Sequence, residues 1–227
     1  MIYFSEKYID FFGNLTLNNN KAWFDEHRSE YEQYVREPFK VFATDLLIAM
    51  KKVDKDIEVE GRKTVMRINK DVRFSKDKTP YRTDMGSGFG VQKSDDFAWP
   101  RYFISIGVLS GVQVIGGIYM PDTAMKNQIQ KSMAESPEEF MKIVTATKFK
   151  KHFGQVDGDR NKRVPKNWGE TLKINPYVLN KSWTYGKEYP VDLALSNDLL
   201  STILADYRAA MQFQNYFKDF CTIELTE

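Results

Sequence analysis

The spacing of the hydrophobic residues changes twice along this chain of 227 residues, and these changes limit the fold more than any other feature. Residues 39–50 carry an apolar stripe at helical spacing. Residues 101–108 and 112–119 instead alternate apolar and polar side chains, which is typical of two paired strands. Helical spacing returns over residues 196–221. This order predicts an α+β fold, in which a central, mainly antiparallel sheet is flanked by N-terminal and C-terminal helices.

A further alternating segment is predicted near residues 66–74. Its apolar face would carry Met66, Ile68, Val72 and Phe74, and its polar face Arg67, Asn69, Asp71 and Arg73. Lys70 interrupts the apolar face, so we expect the strand to leave the sheet near that residue. Residues 76–81 read as a loop, 85–91 as a glycine-rich strand and 92–100 as a second loop.

Helix-capping residues set the other boundaries. Gly13 is expected to end the first helix, and Asn18–Asn20 to cap the second. Asp122 or Thr123 and the Ser136-Pro137 pair are typical of further helix starts. Residues 148–170 are basic and irregular in pattern, and residues 176–181 predict a helical turn.

Length and composition favour a single domain spanning residues 1–227. The net charge of +2 argues against a general nucleic-acid coat protein, although it leaves a local basic patch open. Cys221 is the only cysteine, so an internal disulfide and a cysteine-based zinc site are excluded. We see no signal peptide, and no apolar stretch approaches the roughly 20 residues that span a bilayer. We therefore expect a cytoplasmic protein without a membrane partner.

The segment from Arg67 to Arg82 carries the strongest functional signal. Its bases are Arg67, Arg73, Lys76, Lys78 and Arg82, interleaved with Asp71, Asp77, Phe74 and Tyr81. Arginine suits bidentate contacts to phosphate or carboxylate, and an aspartate between two arginines is held as the carboxylate. The loop from Ser75 onward could add backbone amides and lysines around an anion. The pattern indicates a binding site for a negatively charged group.

Plainer readings stay open for this segment. The Arg67–Arg73 face could be a structural ion-pair ladder, and the loop could be solvated without a ligand. The spacing of Ser75 and Lys78 matches the acylating motif of penicillin-recognising enzymes, but its partner motifs are absent and Pro80 opposes a helix, so we reject that activity. The glycines of residues 86–90 lack the spacing of a dinucleotide fingerprint.

No cofactor or metal site can be assigned from the sequence. The two histidines, His27 and His152, show no metal-ligand spacing, although carboxylates could still converge on magnesium. Each of residues 162–168 and 181–187 combines bases with a tryptophan, as in single-strand binding sites, but we favour the simpler reading of rim tryptophans beside solvated lysines.

Three sequence blocks resemble DUF2461, a bacterial and fungal family of conserved hypothetical proteins. They are the Asn18–Phe24 opening with Arg28 and Tyr31, the long Arg67–Tyr81 block, and Gly116–Pro121. The C-terminal third is less similar, because Asn175-Pro176 and Lys181 stand where the family pattern has a histidine or an acid before proline. The resemblance implies a single soluble domain with helices flanking a sheet, and no reaction. It also implies that the charged block forms one site with the opening helix.

The leading hypothesis is that a cleft binds an anionic, phosphate-containing small molecule. The expected ligand-binding residues are Arg67, Arg73, Ser75, Lys76, Lys78, Asn20, Trp23, Phe24, Arg28 and Tyr81. One alternative is a metal-assisted hydrolase or nuclease acting on phosphorylated substrates, with Asp71 or Asp77 as catalytic candidates. Another is a structural or interaction module whose charged ladder only stabilises the fold. Nucleic acid is open as a partner but is not favoured by the net charge.

Overall fold

The computed structural model describes residues 1–57, 64–90 and 100–221. The helices of the first half are α1 (Glu6–Leu17), α2 (Lys21–Glu26), α3 (Arg28–Glu30), a π-helical segment (Tyr31–Arg36) and α4 (Glu37–Lys51). The strands are β1 (Asp84–Gly90), β2 (Arg101–Gly107), β3 (Gly111–Ile118) and β4 (Trp183–Tyr189). The later helices are α5 (Thr123–Glu135), α6 (Pro137–Thr145), α7 (Thr147–Phe153), α8 (Gly169–Ile174), α9 (Leu199–Ala209) and α10 (Met211–Cys221), with 3-10 segments at Pro176–Leu179 and Val191–Leu195.

The predicted α+β class is confirmed. Within the described residues, the strands form one antiparallel sheet in the order β1-β2-β3-β4. The β2–β3 hairpin turns where the sequence predicted, and Gly111 adopts a positive φ of 65° there. Because a Cβ at this glycine would collide with the Tyr189 carbonyl oxygen, both the backbone conformation and the close approach require glycine.

The chain divides into two compact units, and the first contains residues 1–89, 103–114 and 188–204. Its core contains the predicted stripe of α4, all of whose members are buried: Phe39, Phe42, Ala43, Leu46, Leu47 and Met50. Tyr8 of α1 is also fully buried and donates a hydrogen bond to the Ile106 carbonyl at 2.9 Å. Burying this hydroxyl with a partner removes the penalty that an unpaired polar group would incur.

The second unit contains residues 90–102, 115–187 and 205–227, of which 91–99 and 222–227 lie outside the described residues. Aromatic rings dominate its core. Phe149 and Phe213 stack with their centroids 5.3 Å apart, and Tyr185 meets Phe213 edge-on at the same distance. Such pairs contribute beyond their buried area because their quadrupoles are complementary. The single domain expected for residues 1–227 stays a prediction.

The strand predicted over residues 66–74 is wrong. Residues 64–83 contain only the isolated bridges Val65↔Ser87 and Asn69↔Tyr81. Ile68 is buried as expected, but Met66 is exposed and Phe74 is 94% exposed. Beyond Ile68 the alternating residues therefore do not form a buried face. The chain turns back on itself in this segment, and Phe74 stays in solvent. β1 appears as expected up to Gly90, whereas Val91 and residues 92–99 lie outside the described part.

Most predicted helix starts are confirmed. The Asn20 side chain caps α2, Asp122 caps α5, and Pro137 opens α6. The first helix continues past Gly13 to Leu17. The expectation of irregular structure over 148–170 missed α7, where three lysines conceal the buried pair Phe149 and Phe153 at helical spacing.

Strand β4 was also missed, and the last predicted helix is divided into α9 and α10 at Ala210. The Ala210 N–H is shared between the Asp206 and Tyr207 carbonyls, both 3.1 Å away. Among the described residues, no helix combines the length and the hydrophobicity that crossing a lipid bilayer requires.

Candidate functional site

Residues 64–88 form a hairpin, called here the charged hairpin. Its two arms are joined by backbone hydrogen bonds from Met66 to Gly86 and from Arg82 to Ile68, both 2.8 Å long. The Lys70 N–H, 2.8 Å from the Pro80 carbonyl, closes the last pair before the tip, which comprises residues 71–79. The arms thus follow an antiparallel path, although they pair with each other only through isolated bridges.

Asn19 holds the charged hairpin against the turn between α1 and α2. Its side-chain amide donates to the Tyr81 carbonyl at 2.9 Å, and its side-chain oxygen accepts from the Tyr81 N–H at 3.0 Å. The Tyr81 ring stacks on Phe24 of α2, with centroids 4.1 Å apart and planes at 18°. Both rings are buried, so polar and apolar contacts fix the same point of the hairpin.

Asp77 organises the tip. The Thr79 N–H, Lys70 Nζ and the Thr79 hydroxyl all donate to its carboxylate, at 2.8 to 2.9 Å. These hydrogen bonds, led by the one from the Thr79 backbone, hold the pKa of Asp77 well below its usual range. Ser75 Oγ accepts from the Asp77 N–H at 3.1 Å, and Lys78 Nζ donates to the Val72 carbonyl at 2.9 Å. The tip is therefore an ordered loop despite its exposure.

Asp71 and Arg73 form a second contact within the tip. The Arg73 guanidinium donates to the Asp71 carboxylate through Nε at 2.9 Å and Nη2 at 2.6 Å. The Arg73 side chain lowers the pKa of Asp71, and Asp71 in turn raises the pKa of Arg73. Both side chains are more than half exposed, at 58% for Asp71 and 77% for Arg73, so the pair is screened by solvent.

A cleft of about 270 Å³ lies between the first arm of the hairpin and the helical segment from α2 to α4. This volume is near the lower end of the range for small-molecule sites. All of its described lining residues belong to the first unit. They are Phe24, Arg28, Tyr31, Glu32, Arg36, Lys40, Val65, Met66, Arg67, Ile68, Asn69, Tyr81 and Met85.

Bases outnumber acids along the described walls of the cleft. On the helical wall Arg28 pairs with Asp25 at 2.6 Å, Arg36 with Glu32 at 2.7 Å and Lys40 with Glu37 at 2.6 Å. The hydrogen bonds that Arg28 and Arg36 donate to Asp25 and Glu32, respectively, raise the pKa values of both arginines, so both remain cationic.

The opposite wall carries Arg67, which is exposed and forms no ion pair or hydrogen bond with any described residue. Its guanidinium therefore keeps its donors available for a ligand, in contrast to the arginines of the helical wall. Asn69 lies two residues further along the same arm and adds an exposed amide. The planar guanidinium of Arg67 and the amide of Asn69 thus lie on one wall of the cleft, and the three cations of the helical wall lie on the other. This arrangement suits the binding of an oxyanion.

A π-helical turn shapes the helical wall. The Glu37 N–H bonds to the Glu32 carbonyl, five residues back, and Tyr31 and Arg36 bound this segment. Pro38, just inside α4, has no N–H to donate to the preceding turn, and this favours a local change of hydrogen-bond pattern. Single π turns inside helices often occur at functional sites. Here the turn contributes Tyr31, Glu32 and Arg36 to the cleft.

The structure gathers only part of the predicted site. Phe24, Arg28, Arg67 and Tyr81 line the cleft together. Asn20 caps α2, and Trp23 stacks on His27 at 4.1 Å, so neither lines it. Six further predicted residues lie in the tip of the charged hairpin and are absent from the described lining: Asp71, Arg73, Ser75, Lys76, Asp77 and Lys78.

Sequence reasoning missed the helical wall behind Arg28. Glu32, Arg36 and Lys40 follow Arg28 at intervals of four residues, and that spacing places charged side chains along one face of a continuous helix. This signal was readable in the sequence. It is obscured by Pro38, because a proline within a helical pattern usually indicates a helix break, whereas here the helical path continues through the π turn.

The two catalytic candidates, Asp71 and Asp77, are each engaged by neighbours within the tip. In the described ranges, no three side chains of the His, Cys, Asp or Glu types come together as a metal-ligand group. The cleft is therefore characterised by its cations and amides rather than by an acidic donor set.

The sequence matches the family described as "Conserved hypothetical protein (DUF2461)" over residues 7–216. The chain belongs to this family. The match spans α1 to α10 and thus includes both walls of the cleft and the whole charged hairpin. No curated protein matches the chain.

Proposed function

We propose that the cleft between the charged hairpin and the helical wall binds an anionic, phosphate-containing small molecule. The observation that carries the proposal is Arg67: an exposed guanidinium that lines a concave cleft and forms no ion pair or hydrogen bond with a described residue. Elsewhere in the cleft, the arginines are already paired with acids three or four residues before them in the helical wall. An arginine that faces a cleft without a partner is well placed for bidentate binding of a phosphate.

The helical wall supports the same ligand class. Arg28, Arg36 and Lys40 add positive charge, and each is held in place by an acid on the same helical stretch. Their internal pairs fix the side chains before a ligand arrives, which reduces the rotamer entropy lost on binding. Phe24 and Tyr81 contribute the apolar floor beneath these charges.

This proposal moves the anion site from the tip to the arms of the hairpin. Arg73, Lys76 and Lys78 were expected to grip the same ligand as Arg67, but the cleft is built from Arg67 and the helical wall. The cytoplasmic location expected from the single cysteine accompanies the proposal, because phosphorylated metabolites are abundant in that compartment.

The test is the binding of pyrophosphate and of a nucleoside monophosphate, with the neutral nucleoside for comparison, measured by calorimetry on wild type and Arg67→Ala. Loss of a charge-assisted contact of about 1.5–3 kcal/mol should weaken phosphate binding by about 10- to 150-fold. The thermal stability of Arg67→Ala should stay close to that of wild type. Arg67 forms no hydrogen bond or ion pair with a described residue, so the substitution leaves no such partner unpaired.

The matched control is Arg163→Ala, which removes an exposed arginine that does not line the cleft. This variant should bind phosphate as wild type does. Equal phosphate affinity of wild type and Arg67→Ala would refute the proposal. Equal weakening in Arg67→Ala and Arg163→Ala would also refute it, because only the general charge of the protein would then matter.

A further inference from the structure

The tip of the charged hairpin presents an aromatic ring to solvent. Phe74 is 94% exposed, although most large apolar side chains of the first unit are buried. The ring does not sit on a loose segment, because Asp77, Ser75 and Lys78 hold the tip through the hydrogen bonds described above. The hydrogen bonds of the tip therefore keep the backbone around Phe74 in one conformation while its ring faces solvent.

Two lysines beside the ring lack acidic partners among the described residues. Asp71 is occupied by Arg73, and Asp77 by Lys70. Lys78 donates only to a backbone carbonyl, and Lys76 forms no ion pair with a described residue. The Arg73 guanidinium carbon lies 5.9 Å from the Phe74 ring centroid. The tip thus combines an aromatic face with uncompensated positive charge.

The tip and the cleft belong to one continuous element. The bridge between Asn69 and Tyr81 separates the arm that lines the cleft from the tip. Phe74 follows Asn69 by five residues, so the two are at most about 18 Å apart. An elongated ligand that begins at Arg67, seven residues before Phe74, has to span at most about 25 Å to reach that ring.

We infer that the phosphate-containing ligand is a single-stranded nucleic acid, with a backbone phosphate in the cleft at Arg67 and a base stacked on Phe74. This inference rests on the proposed function and extends it. Proteins hold single strands by combining cations that follow the backbone with aromatic rings on which bases stack. The charged hairpin supplies both, and Lys76 and Lys78 lie where a neighbouring phosphate would pass.

Other ligand classes fit this arrangement less well. Duplex DNA keeps its bases stacked inside the helix and offers no face to Phe74. A membrane surface would be bound weakly, since one ring and two lysines fall short of the two signals that stable anchoring takes. The net charge of +2 is consistent with local contacts rather than a coat of cations along the strand.

The test is fluorescence anisotropy with labelled oligothymidylate and oligouridylate of about eight nucleotides, a length within known single-strand site sizes. Stacking of a base is worth about 1–3 kcal/mol, so Phe74→Ala should weaken both oligonucleotides by about 5- to 150-fold. Phe74→Trp should retain the affinity, whereas Phe74→Leu, which keeps an apolar side chain without a ring, should lose it. The two oligonucleotides distinguish DNA from RNA as the source of the strand.

The control is Leu109→Ala, which removes another exposed apolar side chain, 77% accessible, outside the charged hairpin. It should leave oligonucleotide affinity unchanged. Pyrophosphate binding should be the same in wild type and Phe74→Ala, because that ligand reaches only the cleft. Arg67→Ala should weaken both ligands.

The outcomes separate this inference from the proposed function. If Phe74→Ala binds oligonucleotides as tightly as wild type while Arg67→Ala loses pyrophosphate, the nucleic-acid assignment is overturned and the cleft stands. A duplex that binds as tightly as the single strand also overturns the assignment. The assignment is also overturned if the protein binds no oligonucleotide but binds, in a Phe74-dependent manner, to phosphatidylcholine vesicles that contain phosphatidylserine. If Arg67→Ala binds pyrophosphate as tightly as wild type does, the proposed function itself is overturned.

Discussion

Asn19 has an effect on the candidate site that exceeds its size. One side chain satisfies both backbone groups of Tyr81 and so anchors the second arm of the charged hairpin. We expect Asn19→Ala to destabilise the protein by about 1–3 kcal/mol, because two hydrogen bonds are lost and the Tyr81 N–H and carbonyl lose their partner. Urea unfolding followed by circular dichroism measures this change.

Asn14→Ala is the control for this prediction, since it removes an exposed asparagine side chain from α1. Asn19→Asp should fall between wild type and Asn19→Ala, because a carboxylate still accepts from the Tyr81 N–H but cannot donate to its carbonyl. A stability of Asn19→Ala equal to that of wild type would show that the aromatic stack of Phe24 and Tyr81 alone holds the hairpin.

At this scale the sequence predicted what is local. Asn20 as a helix cap follows from its residue type and the helical pattern after it, and the structure confirms it. The partner of Asn19 lies 62 residues away, and no local pattern identifies it. The same holds for Arg67, whose residue type indicated an anion site while its opposing wall came from a distant helix.

The charged hairpin shows how one element can be ordered by ionised side chains. Asp77 stabilises the tip only as a carboxylate, and its pKa is lowered by the groups that donate to it. A lowered folded-state pKa contributes stability above the unfolded value, near 3.8, which is lost as the pH falls toward the folded value. We expect hydrogen exchange of the tip amides, Thr79 foremost, to accelerate as the pH drops below about 4, relative to the intrinsic rate.

Asp77→Asn should show fast exchange in the tip already at neutral pH, because an amide cannot replace the carboxylate toward both Lys70 and Thr79. Asp10→Asn, an exposed change on α1, should leave the tip protected. Tip amides of Asp77→Asn that exchange as slowly as those of wild type would contradict this role for Asp77.

The hairpin also explains why one element was mispredicted. Alternation of apolar and polar residues gives a strand only where the apolar face has a layer to pack against. Over residues 66–74 the alternation is real, but Phe74 remains in solvent because the backbone is closed by tip contacts instead of a sheet. Those contacts are made by Lys70, Asp77 and Thr79. The sequence pattern marks Lys70 as an interruption of a strand and the other two as loop residues, and it predicts no hydrogen bonds between them.

For the molecule as a whole, aromatic residues contribute more to the buried cores than charged residues do. The chain has 16 phenylalanines and 12 tyrosines, and each compact unit has an aromatic core: Phe4 and Tyr8 meet at 4.6 Å in the first, and Phe153 and Tyr185 at 4.4 Å in the second. The α+β class followed from the order of the patterns. The division into two units could not be predicted from the sequence, because their ranges interleave along the chain and no linker marks a boundary between them.

Buried tyrosines make the stability of the whole protein sensitive to alkali. Burial raises the pKa of Tyr31 and of Tyr216 to about 12, and it raises the pKa of Tyr8 well above its usual value of 10. A raised folded-state pKa gives stability that is complete below the unfolded value of 10 and is lost as the pH rises through the folded value. We therefore expect the free energy of unfolding to fall steeply between pH 10 and 12.

Tyr31→Phe isolates one of these groups, because it keeps the ring and removes the ionisable hydroxyl, whose contact with the Met85 sulfur is weak at 3.8 Å. The variant should retain more stability than wild type, relative to neutral pH, by on the order of 2 kcal/mol near pH 12. Urea unfolding at successive pH values measures this difference, with tyrosinate absorbance as an independent record of ionisation. Tyr119→Phe, an exposed change, should follow the wild-type curve. Identical alkaline curves for Tyr31→Phe and wild type would show that Tyr31 does not resist ionisation in the folded state.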